Sequence, residues 1–177
     1  MTQPQIQFTP LTSIAQVASQ IFAALHQAIL AQEAGVLDRD VEAVHDMRVA
    51  VRRLRVALSN FAACCEPSGR RRMRSLLNQL ADALGNARDL DVLIEDVKKY
   101  QTRIEINERP QIAALIRRLQ ARRLRRYHRL VAFLQSEDYL EFKLEFLSAI
   151  KLAHEPADTT AHQETDGQST QSQESFT

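Results

Sequence analysis

The chain has 177 residues, with 4 Gly, 5 Pro, 2 Cys, no Trp and a formal net charge of +1. That length suits one domain with a real core, and the scarcity of Gly and Pro excludes a hairpin-rich β protein. The small net charge hides a segregation. Segments 48–74 and 109–129 hold 16 of the 23 basic residues and one acid, Glu66, leaving 7 basic and 21 acidic residues elsewhere. A strongly basic surface and an acidic one are therefore expected, and the basic one points to a polyanion bound at a defined place.

No apolar run is read as reaching the roughly 18 residues of a membrane span. The N-terminal region has no basic stretch followed by an apolar one, so no signal peptide and no membrane are expected. Cys64 and Cys65 are adjacent, a spacing that rarely closes an unstrained disulfide and here lacks a His for a metal. Two reduced thiols in a cytoplasmic protein are the expectation.

In chain order, residues 1–10 read as a flexible leader, 11–153 as a helical bundle and 154–177 as a disordered polar tail. Thr12 or Ser13 can cap a first helix whose seam is Ile14, Val17, Ile21, Leu25 and Ala28 and which stops near Gly35. A second helix runs from about Asp40 to Ala63, with Met47, Val51, Leu54, Leu58 and Phe61 as its apolar stripe. Pro67-Ser68-Gly69 reads as a turn. A third helix begins in the Arg70-Arg71-Arg72 cluster, with Met73, Leu76, Leu77, Leu80 and Leu84 inward.

Gly85-Asn86 should break or kink that run before a fourth helix with the seam Leu90, Leu93, Ile94 and Val97. Pro110 suits the first turn of a fifth helix ending near Leu134, with Ile116, Leu124, Tyr127, Val131 and Leu134 inward. Ser136 can cap a sixth, holding Tyr139, Phe142, Phe146, Leu147 and Ile150. The expected fold is all-α, an antiparallel bundle of about five or six helices with an Arg-lined basic face or groove.

Two constellations carry the chemistry. On a helix, His45, Arg48, Arg52 and Arg55 fall within an arc of roughly 80°, and Arg53 lies about 80° to the other side of His45. Arg118, Arg122, Arg125 and Arg129 form a second stripe, flanked by Arg126. Arg suits phosphate because its planar fork makes two parallel hydrogen bonds and keeps its proton. No acid stands at i,i+4 to the cations of 48–59, whereas a solvated face usually mixes signs. Arg74 and Arg88 join the basic set. His45 can be a phosphate donor, a structural residue, a general base or a metal ligand; the lack of partner ligands argues against metal. Asp89 and Asp91, two residues apart, point different ways on a helix, which favours structural ion pairs over a metal site.

His45-x-x-Arg48-x-x-x-Arg52-Arg53-x-Arg55, followed by Leu84-Gly85-x-x-Arg88-Asp89-x-Asp91-Val92-Leu93, resembles the CHAD family, the conserved-histidine α-helical domain. The similarity spans about Ile14 to Ile150. It implies a helical bundle that binds inorganic polyphosphate in a basic groove, with His45, Arg48, Arg52, Arg53, Arg55 and Arg88 matching the family's basic motif. The family's usual arrangement has two such halves, and only one His-x-x-Arg-x-x-x-Arg unit occurs here, so a half-domain is expected. A homodimer would rebuild a two-sided site; one open face and a degenerate protein-interaction module are the alternatives.

The functional expectation is non-enzymatic polyphosphate binding with no cofactor, in the cytoplasm and in association with polyphosphate granules. An RNA-binding protein is the main rival. Its charge requirement is met, but only Tyr127 offers a stacking ring near the basic stripes. An enzyme acting on phosphoanhydrides ranks last, because convergent carboxylates for a metal are missing from the basic segments.

Overall fold

A computed structural model describes residues 13–150. The leader and tail expected at 1–10 and 154–177 lie outside the described residues. The fold is an all-α bundle with the order α1 (Ile14–Leu30), α2 (Glu33–Leu37), α3 (Val41–Asn60), a 3-10 turn (Ala62–Cys64), α4 (Pro67–Gln101), α5 (Arg109–Leu134) and α6 (Glu137–Ile150).

Helix starts follow local chemistry. Ser13 caps α1 in a reciprocal capping box with Gln16, and the Asp40 carboxylate accepts from Glu42 N–H at the start of α3. Glu66 caps α4 by accepting from the Ser68 and Gly69 amides. A bond from the Ser68 hydroxyl, together with those from the Gly69 and Ser68 amides, holds the Glu66 carboxyl down to about 2.

Pro67-Ser68-Gly69 is therefore the first turn of α4 and not a free turn. The glycine has a packing reason. A Cβ on Gly69 would stand 1.7 Å from the Ala149 carbonyl oxygen, so α4 and α6 meet backbone to backbone there. The amide of Glu66 also donates to the Ile150 carbonyl.

The expected break at Gly85-Asn86 does not occur: α4 is one helix of 35 residues. A mid-helix Gly costs about 1 kcal/mol relative to Ala. The seam of Leu80, Leu84, Ala87, Leu90 and Ile94 is buried on both sides of Gly85, and the packing of those side chains outweighs that cost. α4 packs against α3, α5 and α6, which makes it the spine of the bundle.

The buried face of α1 is broader than the expected seam: Ile21, Leu25 and Ala28 are partly buried against the core, and the fully buried line lies beside them. The buried residues are Ala18, Phe22, His26 and Ile29, while Ile14 is 61% exposed. Phe22, His26, Phe142 and Phe146 form an aromatic cluster in which the His26 and Phe146 rings stack at 5.0 Å. Leu93, Leu124 and Leu147, expected inward, are exposed as well. The α3 stripe Met47, Val51, Leu54 and Leu58 is buried as expected, with Phe61 half-buried at its end. The stretch Ile14–Leu37 is long and apolar enough, by length and composition, to cross a membrane, which corrects the reading that no such run exists.

Candidate functional site

With Met47, Val51, Leu54 and Leu58 turned into the core, helical geometry turns Arg48, Arg52, Arg53 and Arg55 out to solvent. His45 is half-buried one turn before Arg48. α4 supplies the facing wall. His45, Arg48, Arg52 and Arg55 of α3 share a depression of about 500 Å³ with Ala81, Asp82, Gly85, Asn86 and Asp89 of α4. Arg52 and Arg55 also line a neighbouring depression of about 460 Å³ together with Arg74 and Asn60. The shared arginines make the two one track along α3.

Gly85 sits in this wall with no heavy atom within 4 Å of where a Cβ would be. Core packing therefore does not require glycine there. Its effect is to keep the α4 side of the groove low, so that a ligand can approach the helix backbone.

Among the described residues, none of His45, Arg48, Arg52, Arg53, Arg55 or Arg74 makes an ion pair. Asp82 and Asp89 line the groove opposite them and also make none. The sequence showed no acid at i,i+4 on α3 itself; the acids that face the row come from another helix, about thirty residues on. Asp82 did not stand out in the sequence, and Asn86 did so only as part of an expected helix break. The one available signal was that Asp82, Gly85, Asn86 and Asp89, at separations of 3, 1 and 3, share a helical face.

Arg53 leaves the row. It lines a different groove, between α1 and α3, with Leu25, Val49 and Val56. Arg88 is half-buried, lies outside the residues that line the α3–α4 groove, and acts electrostatically on Glu95.

Asp91 points the other way from Asp89, as two-residue spacing requires. It is buried, pairs with Arg123 Nε and accepts a 2.7 Å bond from the Tyr127 hydroxyl. The Arg123 guanidinium also lies 4.3 Å from the Tyr127 ring centre. Burial and the adjacent Asp91 carboxylate push the Tyr127 hydroxyl well above its ordinary range, so it stays a donor. This trio clamps α5 onto α4. Arg123 was absent from the basic stripe read on α5, and its role was not visible without knowing what faced it.

The α5 stripe is exposed at Arg118, Arg122, Arg125 and Arg129 and half-buried at Arg126. Arg122, Arg125, Arg126 and Arg129 line a depression of about 340 Å³ to which no other helix contributes. The two arginine rows therefore line separate depressions among the described residues. Among the described residues, no group of three or more His, Cys, Asp or Glu side chains converges for a metal ion. Cys64 and Cys65 are free thiols.

An all-α bundle with a cation row along an interhelical groove is the class defined by this fold and site. The chain belongs to the CHAD domain family, whose sequence model matches residues 20–173. CHAD domains are known as polyphosphate-binding domains. No curated protein matches the chain.

Proposed function

We propose that this protein binds inorganic polyphosphate along the α3 row, without acting on it chemically. The observation that carries the reading is the row itself: His45, Arg48, Arg52 and Arg55 gathered on one groove wall, continued by Arg74, with no carboxylate among the described residues paired to any of them. Residues one turn apart repeat about every 5.4 Å along α3, so the cations can follow a chain that presents charge continuously. Unpaired guanidiniums on one face repel each other, and a polyanion relieves that repulsion. Four phosphate contacts at about 1.5–3 kcal/mol each span the roughly 8 kcal/mol of a micromolar complex, before ordering costs.

Single-stranded RNA meets the charge requirement equally. Among the described residues no aromatic side chain lines the α3–α4 groove, however, so bases would have no ring there to stack on. A cytoplasmic setting with soluble polyphosphate or its granules goes with this proposal.

Calorimetric titration with polyphosphate of defined lengths, alongside single-stranded RNA at equal phosphate concentration, tests it. Affinity should rise with chain length, fall with salt and exceed that for RNA. Arg48→Glu with Arg52→Glu should lower polyphosphate affinity about 100-fold or more, the equivalent of two lost contacts. Unchanged binding by a double variant of unaltered helicity would end the proposal.

A further inference from the structure

α1 carries more apolar surface than the core accepts. In the window within Ile14–Leu37 that is apolar enough for a membrane span, 22% of the residues are fully buried, and Ile21 and Leu25 are buried against the core only in part. The surplus lies on one side. Ile21 and Leu25 of α1 face Val49 and Val56 of α3 in an open groove of about 660 Å³, and Val56 is 52% exposed. Arg52 and Arg53 also line this groove, so its apolar floor is bordered by cations.

α6 bears the converse surface. Leu140, Leu144 and Leu147 are 53%, 72% and 46% exposed, and their separations of four and three place them within an arc of roughly 60°. Exposed Glu137 and Glu145 flank this stripe on one side, and neither makes an ion pair among the described residues. On the other flank Lys143 is already paired with Glu33. The stripe is thus apolar with an acidic border, and the groove is apolar with a basic one.

We propose that the α6 leucine stripe docks in the α1–α3 groove of a second copy of this chain. The stripe cannot fill the groove of its own chain, because Phe142, Phe146 and Ile150 pin α6 into the core by a different face. A helix laid into a groove between two helices buries apolar surface on both sides. Here it also sets Glu137 and Glu145 beside Arg52 and Arg53, which fixes the orientation through complementary charge. The contact joins unlike surfaces, so two copies close it reciprocally or it extends to further copies. It shares Arg52 with the polyphosphate row but does not require polyphosphate to be bound.

Sedimentation velocity of the full chain over a concentration series is the test. The wild type should associate. Val56→Glu and Leu144→Glu, both at exposed positions, should each lower the association constant at least tenfold, with unchanged circular dichroism. An equimolar mixture of the two variants should associate again, because one supplies an intact groove and the other an intact stripe. A wild type that is monomeric throughout overturns the proposal, as does a mixture that stays monomeric. Association lost on removal of residues 1–12 would assign the groove to that segment instead. A monomeric wild type that sediments with anionic vesicles, where Val56→Glu does not, would assign it to a membrane.

Discussion

The arginine rows of α3 and α5 share a helical spacing but differ in what faces them. Along α3 the row is one wall of a groove whose other wall, from α4, carries Asp82, Gly85, Asn86 and Asp89. Along α5 the depression is lined by arginines alone. Periodicity is enough to set cations in line. Whether the line becomes a walled site or an open patch depends on the neighbouring helix. A walled row can hold phosphates at fixed distances and exclude some solvent, whereas an open row acts mainly through long-range attraction that salt screens within about 10 Å. The rows differ in a second way: α5 gives up one arginine, Arg123, to the buried Asp91 and Tyr127.

The most severe way to break the comparison is to remove that anchor. Asp91→Ala should destabilise the bundle by about 3 kcal/mol, since it leaves a part-buried guanidinium and a buried hydroxyl without their acceptor. Denaturant unfolding measures this, and a loss under 1 kcal/mol would mean that the clamp does not hold α5. Next comes the open row itself. Arg122→Glu with Arg125→Glu should weaken polyphosphate binding only about tenfold, against 100-fold or more for the α3 pair, with the difference growing as salt rises. Equal losses from the two pairs would show that walls do not matter.

A smaller effect sharpens the role of the facing wall. Asp82→Asn with Asp89→Asn removes two carboxylates across the groove from the phosphates, each worth about 0.5 kcal/mol at roughly 8 Å in water. Affinity should tighten several-fold by calorimetry; weakening would make the carboxylates contributors to binding. The smallest effect concerns conditions. His26 is buried, its Nδ1 has no partner among the described residues, and burial lowers its pKa despite the bond of Nε2 to the Phe142 carbonyl. The unfolded chain therefore takes up a proton there more readily than the folded one. That stability contribution is present above the ordinary value of 6.5 and declines as pH falls below it. Thermal unfolding from pH 7.5 to 5.5 should show the decline, and His26→Phe should flatten it. The two rows are best compared above this range.

Much of this fold is legible in the chain because its helices are long and periodic. The α3 stripe, the first half of the α4 seam and the start of α1 at Ser13 follow from spacing and capping. α1 shows where legibility stops. It has apolar residues on more than one side, so Ile14-Val17-Ile21-Leu25-Ala28, which is only partly buried, is as regular a seam as the fully buried Ala18-Phe22-His26-Ile29. The choice was made by Phe142 and Phe146 of α6, which receive His26 and Phe22. Gly85 misleads for a related reason: its local cost is visible in the sequence, whereas the packing that overrides it comes from other helices.

The sequence by itself determined that this is a helical protein of the CHAD family and that its cations lie in rows, because both are properties of single helices and of a motif confined to two of them. Only the tertiary structure decided which row has a wall, that Arg53 and Arg88 leave the α3–α4 groove, that Arg123 is spent on Asp91, and that α1 and α6 keep apolar faces outside the core. Each of those outcomes depends on which surface of one helix meets which surface of another. That pairing is set by the summed packing of side chains far apart in the chain, and no local pattern encodes it.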